Sequence, residues 1–447
     1  MRRKPNPLPK KPNKKVRPAL PSGFRDFGPA EVYRRRRLFS VLIELFERYG
    51  YQPLETPAVE LLSVLLGKYG EEGDKLLFRI LNSGDFLAEA PEEARAHSHT
   101  LLPYITEKAL RYDLTVPMAR WVAQHAGELV FPFKRYQIQP VWRADRPQRG
   151  RFREFYQCDI DIVGAEGIVP LLEIVAIIRE VLQKLGLSGA VLHLNHRALL
   201  EKAAREAGWP ESDFAGFCGL LDKADKIGWE AVEEAFTARG VRLPRWLHPI
   251  EGLPPFSDLP EVAQDAETLQ NLLDTPAFVP VRWDSTLARG LEYYTGYVYE
   301  LRVPGSGVGS IGAGGAYASL VHDFGGPDLP AVGFSFGVER LLTLLESAQN
   351  GLSIEAIQPV LVAWVDASPG YIQEVVQQLH QAGQTAFAYP APKKLSRQIE
   401  YAQRRGLPWV VIVGRAEETT RTVQRKNLLS HTQETLSLDA LAKADWM

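Results

Sequence analysis

Two-residue periodicity in this chain is interrupted, and that interruption restricts the available folds more than any other feature. Apolar and polar residues alternate from "LLFRILNSGDFL" (76–87) through "FPFKRYQIQPVWRAD" (131–145) to "REFYQCDIDIVG" (153–164), with "NSGD" as a turn signal. Such alternation predicts antiparallel strands with one face buried. The pattern lapses over about residues 197–270, which read as short helices such as "WEAVEEAFTARG", with a Pro-rich loop at "PRWLHPIEGLPPF". It returns at "EYYTGYVYELRV", "GGAYASLV" and "AVGFSFG", the last running into the helical "VERLLTLLESA". The expectation is an α+β unit built on an antiparallel sheet, residues 21–196 and 271–348, with a mainly helical insertion at 197–270.

Two amphipathic helices frame the first strands. Leu38, Val41, Leu42 and Leu45 recur at helical spacing before Gly50, and "VPLLEIVAIIREVLQKLGL" ends at Gly186. Between them "YQPLETP" reads as a short strand. Past residue 356 the grammar changes. "PVLVAWV", "TAFAY" and "WVVIVG" suit buried parallel strands, and the helices "YIQEVVQQLHQAG" and "KLSRQIEYAQRRG" separate them. That alternation implies a small α/β unit over 356–447.

Composition excludes several classes. Of 447 residues, 45% are hydrophobic and 24% charged, which supports a sizeable core. The net charge of −2 argues against nonspecific coating of nucleic acid but leaves room for a local basic face. Two cysteines, Cys158 and Cys218, are too few for a disulfide framework or a cysteine zinc site, so a reducing, cytoplasmic location is the simplest reading. No apolar run approaches the ~20 residues that cross a bilayer, so no membrane association is expected. Residues 1–20 are basic and Pro-rich without an apolar stretch. They read as a disordered tail, solvated or in weak contact with RNA phosphates.

Charge concentrates in "WRADRPQRGRFREFYQ", where arginines at 143, 146, 149, 151 and 153 interleave with Phe152, Phe155 and Tyr156. A surface hairpin with arginines paired to nearby acids is one reading. An anionic pocket is the other, since guanidinium groups offer bidentate donors to phosphate oxygens. Strand alternation would put Arg143 with Asp145, and Arg151 with Arg153, on shared faces. Asp113 and Thr115 in "RYDLTVPMAR" would likewise share a strand face. In "LARGLEYYTGYVYE", Arg289 precedes Tyr293 and Tyr294, which suit either core or ligand contact. The glycine run "GVGSIGAGG" contains G-x-G-x-x-G without a strand–turn–helix around it, so a dinucleotide fold is rejected; no P-loop motif occurs.

Taken together these segments resemble a class II histidyl-tRNA synthetase from Pro21 to about Leu441. "LETPAVE" with its preceding helix resembles motif 1 of that class, "VWRADRPQRGRFREFYQCDIDIVG" motif 2, and "AVGFSFGVERL" motif 3. "LARGLEYYTG" resembles the signature of the histidine enzymes, and the C-terminal unit their anticodon-binding domain. The resemblance implies ATP-dependent activation of L-histidine to histidyl-adenylate and transfer to tRNA(His), by a homodimer using ATP with Mg2+. It implies that Arg143 and Arg289 act at the α-phosphate, that Asp145 and Phe155 hold adenine, and that Arg151 and Arg340 bind the outer phosphates. Asp113, Thr115 and Gln157 would grip the α-amino group of histidine. Asp161 and Tyr294 would read the imidazole nitrogens, with Tyr293 and Tyr317 in the pocket and no metal-ligating residue.

Physics agrees with that set. Carboxylate attack on a phosphate brings two anions together, so fixed positive charge and positioning suffice without a protein nucleophile. One departure stands out: the family's Gly-Gly-Arg-Tyr-Asp is "GGAYA" here, with Ala316 and Ala318 replacing the charged pair. The competing expectation is a catalytically silent paralogue, the regulatory subunit of ATP phosphoribosyltransferase. The arginines at 143, 289 and 340 and the C-terminal unit favour the enzyme.

Overall fold

The computed structural model describes residues 18–147, 151–248, 256–258, 260–288, 294–347 and 358–446. The basic tail through Arg17, and Arg149, Arg289 and Tyr293, lie outside the described residues. The chain divides into two compact units, Met1–Leu352 and Ser353–Met447.

In the first unit the strands are β1 (Gln52–Pro53), β2 (Val59–Leu61), β3 (Arg79–Ile80), β4 (Lys108–Leu110), β5 (Phe133–Trp142), β6 (Glu154–Val163), β7 (Val191–His196), β8 (Val281–Trp283), β9 (Tyr294–Arg302), β10 (Gly312–Tyr317) and β11 (Ala331–Gly337). Eight of them form one sheet in the order β1-β5-β6-β11-β10-β9-β7-β8. Its inner pairings are all antiparallel, whereas the outermost pairs, β1 with β5 and β7 with β8, run parallel. The sheet is therefore mixed at its margins, where the sequence pattern suggested antiparallel pairing throughout. The strands β2, β4 and β3 make a separate small antiparallel sheet. The expected hairpin near residue 80 is thus reduced to two residues, and its partner lies beyond the helix Ser98–Ile105.

One face of the large sheet is covered by the helices Pro29–Arg48 and Ile168–Lys184. The first starts with Pro29 behind Gly28, whose N–H donates to Glu31 Oε2 at 2.8 Å. It buries Leu38, Leu42, Leu45 and Phe46 completely. The second buries Ile174, Ile177, Ile178, Val181 and Leu182 against Cys158, Ile160 and Ile162 of β6. Each such side chain contributes about 1.5–3 kcal/mol. Because successive strand residues point oppositely, the same strand turns Gln157, Asp159 and Asp161 to the other face. That face carries the site.

The helical stretch after β7 has a small core of its own, with Leu200, Ala203, Phe217, Leu221, Val232 and Phe236 buried together. The helix Ala266–Asp274 instead contributes Leu269 and Leu272 to the main core beneath the sheet. In the second unit, β12 (Val360–Val365) pairs in parallel with β13 (Ala386–Ala388) and β14 (Trp409–Gly414). An antiparallel hairpin of β15 (Thr422–Asn427) and β16 (Gln433–Ser437) extends the sheet. The parallel expectation holds for the first three strands and ends at the hairpin.

Candidate active site

A cleft of about 1220 Å³ opens on the uncovered face of the large sheet. Its floor is β6, β10 and β11, and one wall is the helix Phe214–Leu221, which presents Phe214, Ala215 and Cys218. Of the residues expected from sequence, Asp113, Thr115, Arg143, Arg151, Gln157, Asp161, Tyr294 and Tyr317 line this one cavity.

Arg143 is held firmly. Its Nε donates to the Tyr112 carbonyl at 3.0 Å and one terminal nitrogen reaches Gln157 Oε1 at 3.5 Å. The guanidinium carbon lies 4.3 Å from the Tyr112 ring centre and 5.2 Å from that of Phe155. Phe155 therefore backs the arginine on the side where a base would stack. Asp145 is buried and accepts from Arg151 at 2.9 Å, while Arg151 itself is half exposed. Arg340, on the helix Val338–Ser347, donates to the Ser310 carbonyl and lies beside Gly309, adjoining the cleft but not on its lining. Glu339 accepts the Tyr156 N–H at 3.1 Å, which ties that helix to β6.

Two local expectations are corrected. Asp113 and Thr115 do not share a strand, because Thr115 begins the helix Thr115–His125. Asp113 sits in the turn before it and accepts the Val116 N–H at 3.3 Å and the Tyr69 hydroxyl at 2.9 Å. A carboxylate at a helix start satisfies an otherwise unpaired backbone donor, and that local bond outweighs two-residue alternation. Nor do Arg143, Asp145, Arg151 and Arg153 stand on strands. The strands β5 and β6 stop at Trp142 and start at Glu154, and the Ala144 N–H leaves the ladder for the Leu76 carbonyl at 2.8 Å. Arg153 turns away from the cleft, donating to the Asp145 carbonyl at 2.9 Å, while its backbone N–H meets the Gly23 carbonyl.

The floor holds a buried ionic cluster. Arg135 is fully buried, opposite Asp161 in the β5–β6 register, 2.7 Å from Asp161 Oδ2 and 4.0 Å from Asp159 Oδ2. The Asp161 contact is close enough for an ion pair but lacks hydrogen-bond alignment, so the tie is ionic. Asp161 Oδ1 accepts from the Tyr317 hydroxyl at 2.6 Å. Burial pushes the Asp113, Asp159 and Asp161 carboxyls above their usual range, opposed chiefly by Tyr69 and Arg143 at Asp113 and by Arg135 at the other two. Asp159 is pushed up to about 7, with Asp161 adding to the effect of burial.

Glycine makes this packing possible. A Cβ on Gly333 would stand 2.0 Å from Asp161 Oδ1, and one on Gly314 would stand 2.1 Å from the Gly333 carbonyl. The glycine run rejected as a nucleotide motif therefore serves close strand approach. Sequence reasoning missed Asp159, Arg135, Ser335, Tyr69 and Tyr112. Asp159 was within reach, since it lies one period of two from Asp161. The tyrosines had no local signal and arrive through tertiary folding.

Chemically the cleft is bipolar. Arg143 and Arg151 face it as cations suited to phosphate, while Asp113, Asp159 and Asp161 line it as acids suited to an ammonium or a ring N–H.

The sequence profile described as "Histidyl-tRNA synthetase" matches residues 23–94 and 106–341, and that described as "Anticodon binding domain" matches 358–444. A histidine–tRNA ligase of Christiangramia forsetii is 39% identical, over 96% of this chain and 99% of that protein. The crystal structure of a histidyl-tRNA synthetase from Nostoc sp. superposes with a TM-score of 0.73 at 29% identity, covering 96% of this chain and 99% of that one. An ATP phosphoribosyltransferase regulatory subunit/histidyl-tRNA synthetase from Bacillus halodurans gives 0.68 at 18% identity, covering 90% and 99%. At that identity the likeness concerns the fold alone.

Proposed function

Because the chain belongs to the histidyl-tRNA synthetase family and is an aminoacyl-tRNA ligase, we propose that its cleft activates L-histidine with ATP and passes it to tRNA(His). The histidine carboxylate attacks the α-phosphorus of ATP. A carboxyl O–P bond forms, the bond to the β-phosphate oxygen breaks, and pyrophosphate leaves. Arg143, fixed at three points before substrate arrives, stabilises charge at the α-phosphate; preorganised donors of this kind dominate catalysis where no protein nucleophile acts. Arg289 joins it from the opposite side.

Asp145 and Phe155 receive adenine, and Arg151 and Arg340 the outer phosphates. Release of Arg151 from Asp145 on ATP binding would free both for those roles. Asp113, Thr115 and Gln157 hold the α-amino group, with Asp161, Tyr293, Tyr294 and Tyr317 around the ring. Magnesium is carried in on the phosphates and shields their charge. The whole is a cytoplasmic homodimer, which sedimentation velocity on the purified chain tests as twice the monomer mass.

In the second unit, Tyr389, Lys393, Arg397, Tyr401 and Arg404 line a groove of about 310 Å³. Cations around aromatic faces suit a single-stranded RNA loop, and we assign the anticodon of tRNA(His) to it.

The observation that carries the reading is the joining of Arg143, Gln157 and the buried acids in one cleft. ATP–pyrophosphate exchange with each of the twenty amino acids, without tRNA, tests it. Exchange with histidine alone is expected and shows that Ala316 and Ala318 are tolerated. No exchange from folded protein that still binds ATP, with co-purification of a phosphoribosyltransferase, supports the regulatory paralogue instead.

A further inference from the structure

We propose that Asp159 is the carboxylate that accepts the ring N–H of the substrate amino acid, and that Asp161 is a positioning residue held beneath it. The inference rests on the assignment of the cleft to histidine.

The two acids lie on one face of β6, and both line the cavity. Their commitments differ. Asp161 is tied on both oxygens, to the Tyr317 hydroxyl at 2.6 Å and to Arg135 at 2.7 Å. Gly333 lies so close that a single added methyl would collide with Asp161 Oδ1. That carboxylate has no room to turn toward a ligand. Asp159 is equally buried, yet its measured contacts are long: Gln157 Nε2 at 3.5 Å and Arg135 at 4.0 Å. The Ser335 hydroxyl also donates to it. A carboxylate accepts about four hydrogen bonds, so Asp159 keeps acceptor capacity on the side facing the cavity.

Charge points the same way. Asp113, Asp159 and Asp161 share this end of the cleft with one fully buried cation, Arg135. Asp113 is already oriented by Tyr69 and the Val116 N–H, which leaves it placed for an ammonium. A buried carboxylate without a strong donor is costly. Asp159 shows that cost in the empty protein, its carboxyl pushed up to about 7 by burial. A ring N–H completes its coordination, and a substrate lacking one leaves it exposed to the full penalty. Such a site discriminates against isosteres without the donor by roughly 10⁴-fold or more.

The test uses the full-length chain and compares L-histidine with β-(2-thienyl)-L-alanine, an isostere without a ring N–H, in ATP–pyrophosphate exchange. Asp159→Ala is expected to raise KM for histidine about 30-fold or more. It should leave KM for ATP within about twofold and lower the histidine-to-thienylalanine ratio of kcat/KM about 100-fold. Asp161→Asn is expected to lower the melting temperature and to slow both substrates together, with the ratio kept. Asp159→Asn and Asp159→Ser serve as further variants if the alanine protein does not fold. A ratio that falls as much or more in Asp161→Asn overturns the proposal while leaving the histidine assignment intact. A wild-type chain silent with histidine overturns both.

Discussion

Arg143 is fixed by a carbonyl, an amide side chain and two aromatic faces while the site is empty. Its orientation is supplied by folding, so its removal costs transition-state stabilisation more than ground-state binding. Arg143→Ala should lower kcat for exchange by about 10²–10³-fold, and Arg143→Lys should not recover it, because an ammonium lacks the planar fork. Steady-state kinetics on the two variants check this. Asp159 gives a second expectation. Its carboxyl stands near 7 in the folded chain, against about 3.9 when unfolded. The native state therefore binds the extra proton. This group's contribution to stability is fully present below about pH 4 and is lost as pH rises to about 7. Asp159→Asn abolishes that loss, so its melting temperature should exceed the parent's by more at pH 8 than at pH 5. An equal difference at both pH values would show that ionisation of Asp159 carries no such penalty.

At the scale of elements, the floor of the pocket depends on two strands approaching more closely than side chains permit. Gly333→Ala drives a Cβ against Asp161 and should destabilise the first unit by about 1–3 kcal/mol. It should also raise KM for histidine, as thermal melts and exchange kinetics would show. What was legible in the sequence follows from the range of the forces involved. The strand β6 was readable because its cores and acids alternate without interruption. The helix beginning at Thr115 was not, since Leu114, Val116 and Met118 also alternate and only the bond from Val116 to Asp113 reveals the turn. The arginine connection was misread as strand for a similar reason: what ends β5 is a hydrogen bond to Leu76, far away in sequence. Resemblance named Asp161, while the periodicity that would have added Asp159 beside it went unused. Arg135 lay hidden because its partner stands across a strand pair.

At the scale of the molecule, each of the two units has its own buried core. A fragment ending at Leu352 should keep histidine-dependent exchange and lose charging of tRNA(His). Full retention of charging would remove the second unit from tRNA recognition. Within the intact chain, Arg397→Glu should raise KM for tRNA several-fold and leave exchange unchanged, since Arg397 lies in the basic groove of the second unit.

The order of strands in the large sheet also sets a timetable. The middle of that sheet, β11, β10 and β9, is translated after both flanks, and Val163 waits for a partner at Ala331. Until Gly337 has been added, a growing chain on the ribosome carries two half-sheets with open edges, one holding most of the acids and arginines and the other empty of them. Substrate can neither guide nor stabilise the first half of synthesis, because the surface it binds is closed by the last strand made.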